Sequence, residues 1–159
     1  MVIAIIFFGV CTALGIYIHH GYRLRKTFYD GMILFCDHMT SEIGFSKNDV
    51  VSVIDTYIES YPLSFRKTLA EYRKAIISKS DIEIRSFPPK FSEGEKSQVD
   101  LFFKELGRHS SAEEIEKIKN RRSQFSQNLE SARLKLNKDA SINLKLCIIL
   151  GIAGFIMLI

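Results

Sequence analysis

The sequence predicts an all-α protein, an antiparallel bundle of five or six helices set between an N-terminal and a C-terminal transmembrane helix. Two observations carry this. All 22 Lys and Arg and all 18 Asp and Glu of the 159 residues lie between positions 23 and 145, which leaves both ends apolar and uncharged. Between those ends the apolar residues recur at intervals of three and four, the period of a helix face. The boundaries read as an anchor over 1–18, a helical domain over 19–141 and an anchor over 142–159. This pattern excludes a disordered charged tail and a polytopic transporter.

Met1 to Ile18 carries no charged side chain, and as a helix it reaches about 27 Å, close to the roughly 30 Å of a bilayer's hydrocarbon. Arg23, Arg25 and Lys26 follow the apolar run instead of preceding it, the order of a retained anchor and not of a cleaved signal peptide. The basic flank predicts a domain held in the cytoplasm and an N-terminus outside. Leu146 to Ile159 is shorter, but its terminal carboxylate cannot rest in hydrocarbon and it has no polar face on which to lie flat. A full crossing from Ile142 is predicted, with Lys145 reaching back to the headgroups and both termini outside. Gly9 with Ala13, and Cys11 with Gly15, place small residues four apart, the spacing of a helix-packing seam.

Leu24, Phe28, Met32, Cys36, Met39 and Ile43 define the first amphipathic helix, with Gly44 as its cap. Ser46 and Asp49 read as the N-terminal cap and acid of a second, carrying Val50, Ile54, Tyr57, Ile58 and Tyr61 up to Pro62. Phe65, Leu69, Tyr72 and Ile76 mark a third. From Ser78 through Pro88 and Pro89 no helix can run, and alternating Ile82 and Ile84 read as loop in preference to a short edge strand. A fourth helix, Glu95 to Leu106, presents Val99, Phe102 and Phe103, and Gly107 stands where a left-handed residue closes a helix. Ser110 and Glu113 form a capping box for a long last helix, whose face reads Ile115, Ile118, Arg122, Phe125, Leu129, Ala132 and Leu136. Arg122 at a seam position is either paired with a carboxylate or aimed at a partner. With no Gly or Pro before Lys145, that helix can continue straight into the second anchor.

The chemistry of catalysis is missing from this pattern. No Gly-rich phosphate loop, nucleophile elbow or His/Cys ligand spacing occurs, so no enzyme activity, cofactor, metal site or small-molecule substrate is expected. Three cysteines, two inside the apolar ends, make no disulfide framework. A net charge of +4 with alternating signs argues against nucleic acid. By elimination the chain works by holding partners.

The order of parts resembles the stage III sporulation protein AB family. An N-terminal anchor with a basic flank is followed by Glu42-Ile43-Gly44-Phe45-Ser46, the turn at Leu106-Gly107, a long charged helix and the glycine-containing Leu150-Gly151-Ile152-Ala153-Gly154. Where the family carries Asp after the turn and Gln four residues on, this chain has Ser110 and Glu114, and Ser keeps the capping ability. The resemblance implies a part in endospore formation, in the mother-cell membrane around the forespore, within the channel complex that joins the two cells. It further implies a cytoplasmic domain similar to the helical domains of the type II secretion platform protein F. The implied partners are a secretion-type ATPase, the stage III sporulation protein AA, and other channel subunits. Candidate partner-binding residues are Gly107, Ser110, Glu114, Arg121 and Arg122 at the turn and the start of the last helix, where helix ends expose unpaired backbone groups. The alternative is a membrane-anchored helical regulator or sensor that binds a signalling partner.

Overall fold

The computed structural model describes residues 2–45, 49–107 and 111–158. Among them every regular element is helical: α1 (Val2–Phe45), α2 (Val50–Tyr57) with a 3-10 turn at Ile58–Ser60, α3 (Leu63–Ile77), α4 (Glu93–Glu105), α5 (Ser111–Lys135) and α6 (Ser141–Leu158), the last two joined by a π turn at Leu136–Ala140. No strand forms at Ile82 and Ile84, which lie in the loop that the sequence favours.

α1 is one helix of 44 residues. The apolar segment and the first amphipathic helix share a single unbroken backbone, because nothing between Ile18 and Arg23 removes a donor or forces a turn. Gly44, expected as a cap, stays helical, since only Gly107 among the described glycines has a positive φ. A side chain at Gly44 would meet Ile115 at 3.9 Å, so the chain continues in register against α5 there. Ser46, expected as the cap of α2, lies outside the described residues. Asp49, expected as the acid within the first turn, is itself the cap and accepts from the backbone N–H of Ser52.

α4 starts at Glu93, earlier than expected, because Ser92 and Glu95 form a reciprocal capping box. Its end follows the sequence reading, with Leu106 leaving the helix and Gly107 at φ +81°. Ser110, expected to cap the last helix with Glu113, lies outside the described residues.

One face of α1 makes the core. Phe28, Tyr29, Met32, Phe35, Cys36 and Met39 are fully enclosed, covered by Phe65 and Leu69 of α3, Val99 and Phe103 of α4, and Phe125 and Ala132 of α5. Edge-on ring pairs knit this together, such as Phe28 with Phe65 at 5.2 Å and Phe102 with Phe125 at 5.4 Å. Each such ring removed from water contributes about 1.5–3 kcal/mol. Gly31 lets α3 close on α1, since a Cβ there would stand 2.7 Å from Cβ of Phe65.

α5 and α6 run antiparallel to α1 along nearly its whole length. Ile115 faces Gly44, Arg122 faces Asp37, Phe125 faces Tyr29, Leu144 and Cys147 face Gly15, and Gly151 sits against Phe8 and Cys11. Of the two expected small-residue seams, Cys11 with Gly15 is the one used. Gly9 has nothing within 4 Å of where a Cβ would stand, and Ala13 is exposed.

Candidate functional site

The turn between α4 and α5 is built from Gly107 outward. Its left-handed backbone turns the Gly107 N–H toward α5, where Oε1 of Glu114 accepts it at 2.8 Å. Glu114 is buried, 5% exposed, and Oε2 has no hydrogen-bond partner among the described residues. An acid in the first turn of a helix is favoured by the helix dipole, and here it also closes the preceding turn. About two turns further along α5, Arg121 donates to Oε2 of Glu105 at 3.1 Å and to Oε1 of Gln124 at 3.2 Å. Between α4 and α5 these groups enclose a notch of about 10 Å³, lined by Glu105, Glu114, Lys117 and Arg121 over Phe102 and Ile118. That is room for about one water molecule.

The structure thus brings Gly107, Glu114 and Arg121 together. Arg122 belongs elsewhere: it makes a two-pronged pair with Asp37 of α1, at 2.5 and 3.1 Å. This is the carboxylate pairing that the seam position allowed, and the hydrogen bonds to Asp37 hold its charge more firmly than usual. Both side chains remain nearly half exposed. Ser110 lies outside the described residues. Glu114 is too enclosed to present its charge, so Glu105, Lys117 and Arg121 form the accessible rim. No group of three or more His, Cys, Asp or Glu that could hold a metal ion gathers among the described residues, and the described cysteines are free thiols.

A second polar cluster escaped the sequence reading. Arg25, expected to serve as part of the basic membrane flank, is 5% exposed, and its Nη2 lies 2.6 Å from Oε1 of Glu95. Tyr29 donates to the same oxygen at 2.7 Å, while Oε2 accepts from the Ser92 backbone N–H at 2.9 Å and its hydroxyl at 3.0 Å. Burial alone would raise the Glu95 carboxyl. The Ser92 N–H, the Tyr29 hydroxyl and the Arg25 guanidinium outweigh it and hold that group below the ordinary carboxylate range. Burial and the Glu95 carboxylate together push the Tyr29 phenol well above its ordinary value. The Ser92-x-x-Glu95 spacing was a readable capping signal, but nothing local pointed to Arg25.

His38 packs its ring on Tyr57 at 4.0 Å between centroids, and its Nδ1 lies 2.9 Å from the Tyr61 hydroxyl. Burial lowers its pKa, against the opposing pull of Asp37 and Glu42. These groups tie α1 to α2 and to the turn that precedes α3, and assemble no nucleophile.

These features define a helical protein in which one long N-terminal helix, Ile5–Gly44, contains a stretch long and apolar enough to cross a membrane, and whose polar clusters join helices to one another. The chain belongs to the stage III sporulation protein AB family, whose profile matches residues 1–159, the whole chain. That membership implies a role in stage III of sporulation. No curated protein and no solved structure matches the chain.

Proposed function

We propose that the chain is a non-enzymatic membrane platform in the channel complex between mother cell and forespore, where it recruits a secretion-type ATPase, the stage III sporulation protein AA. The observation that carries this is the continuous antiparallel pairing of α1 with α5 and α6. A domain hung on two uninterrupted helices cannot turn or tilt without moving its apolar ends, so force or position at the domain passes to the membrane. In this reading residues 1–18 and 142–159 are the two anchors and 19–141 is the cytoplasmic bundle, with both termini outside. The outward row of Ile142, Leu146, Ile149, Ile152 and Ile156 on α6 supports a second crossing, since that row is exposed apolar surface beside the exposed apolar surface of α1.

The ATPase docks on the rim of mixed charge at the α4–α5 turn. Glu105, Lys117 and Arg121 supply both signs there, and such contacts weaken as salt screens charges beyond about 10 Å at 0.1 M. The test mixes the full chain in lipid nanodiscs with the purified ATPase at low and high salt. A complex that weakens with salt and with Arg121→Glu supports the reading. No complex in either condition rejects it in favour of a regulator or sensor.

A further inference from the structure

α1 leaves its apolar stretch at Ile18, and the next turns of the helix form one wall of a cleft of about 580 Å³. His20 and Leu24 of α1 face Leu63 and Lys67 of α3 across it, and Phe87 and Pro89 close it from the loop. Its depth suits a lipid headgroup. Along the helix axis His20 stands about 3 Å and Leu24 about 9 Å beyond Ile18, and the headgroup layer of one leaflet is about 5–8 Å thick. Pro89 and Lys90 stand over Gly21, and Lys90 lies above the Tyr22 ring at 5.6 Å, so this loop is held beside the same turn of α1.

The charge is one-signed. No carboxylate lines the cleft. Arg66 is committed to Glu59 and to the Tyr61 carbonyl, but Lys67 and His20 have no ion-pair partner among the described residues. Beside them Leu63 leaves 75% of its surface exposed at the start of α3, an apolar side chain of the kind that dips into a bilayer surface.

We propose that this cleft binds the phosphate headgroup of an anionic phospholipid, with Lys67 and His20 at the phosphate and Leu63 against the acyl chains. It rests on the membrane placement proposed above. An anionic lipid seated there pins the α3 end of the domain to the bilayer surface, a further point of attachment beside the two apolar helices.

The full chain in neutral detergent is titrated with phosphatidylglycerol or phosphatidylcholine, and retained lipid is counted by native mass spectrometry. One phosphatidylglycerol retained in preference to phosphatidylcholine is expected, with about fivefold weaker retention in Lys67→Ala, since one basic side chain at a membrane surface contributes about that factor. His20→Ala weakens it as well, and Lys119→Ala, on the exposed side of α5, leaves it unchanged. Equal retention of the two lipids, or a preference that survives Lys67→Ala, overturns the site. Displacement of the lipid by millimolar inorganic phosphate assigns the cleft to a soluble phosphate and overturns the lipid. Flotation of the wild-type chain with pure phosphatidylcholine vesicles separates the two levels: failure to float overturns the membrane placement and this site with it, whereas a chain that floats without anionic preference overturns the site alone.

Discussion

Arg25 on α1 and Glu95 on α4, 70 positions apart in the chain, meet at 2.6 Å with side chains 6% and 12% exposed. The pair ties the capping box of α4 to the centre of α1, because the same carboxylate that receives Arg25 and Tyr29 also caps the helix through Ser92. A buried pair of this kind is fully satisfied only while every member is present.

Removing one partner therefore costs more than the pair itself is worth. Arg25→Ala is expected to destabilise the domain by roughly 3 kcal/mol, because it strands the Glu95 carboxylate in a site that excludes water. Replacing Arg25 and Glu95 together by apolar residues is expected to recover much of that loss. Chemical denaturation of the chain in nanodiscs, followed by circular dichroism, measures both. A double variant no more stable than Arg25→Ala would mean that Tyr29 and Ser92 carry the site.

The same carboxylate sets an acid limit. Its folded pKa is depressed, so its stabilisation is fully present above the unfolded carboxyl value of about 4.3 and is lost as pH falls through the lower folded value. His38 acts in the same direction at higher pH. Its folded pKa lies below the ordinary imidazole value, so stability begins to fall once pH drops below about 6.5, where the unfolded chain gains the proton first. Melting curves from pH 8 to about 2 are expected to show two steps of decline. The upper step disappears in His38→Gln, and the lower shrinks in the Arg25 and Glu95 double variant to what Glu71 and Asp55, whose carboxyls are also held low, contribute.

Arg122 behaves differently. Its pair with Asp37 is close and two-pronged but nearly half exposed, and exposed pairs contribute about 0.2–1 kcal/mol. Arg122→Ala is expected to lower stability by under about 1 kcal/mol and to leave ATPase binding at the α4–α5 turn unchanged, since the side chain points to α1. A loss near 3 kcal/mol would mean that the pair is enclosed in the membrane-bound chain. A loss of binding would return Arg122 to the partner surface.

Much of the helical order was legible because each signal is local. Phe28, Met32, Cys36 and Met39 announce the buried face of α1 by spacing alone, and Gly107 announces its positive φ by having no side chain. At the turn, the short spacing from Gly107 to Glu114 and Arg121 is visible in the chain, but that Glu114 is enclosed depends on where α4 returns. Arg25 looked like membrane flank for the same reason: a partner 70 residues away leaves no trace in its neighbours. Gly44 looked like a cap because the packing of α5 beside it cannot be seen from α1.

The π turn at Leu136–Ala140 is the least legible element, and its cause lies in the seam. From Ala132 the residues that face α1 run Leu136, Ala140 and Leu144, three successive steps of four. In a regular helix each step of four overshoots a full turn by about 40°, so three would swing the seam about 120° away from α1. A single wide π turn takes up about one residue, or about 100°. It leaves Ala140 fully buried and carries the seam on to Cys147 and Gly151. Deleting Asn137 is therefore expected to restore a regular helix and rotate α6 off α1 while leaving the domain folded. The reporter is Gly15→Cys, whose Cβ would stand 3.0 Å from Cβ of Cys147, close enough for a disulfide after a small adjustment. With Cys11→Ser in the background, oxidation is expected to cross-link position 15 to Cys147 in the full-length chain in nanodiscs. The deletion is expected to abolish the cross-link without changing the melting of the domain. Equal cross-linking with Asn137 deleted would show that α6 finds α1 without the π turn.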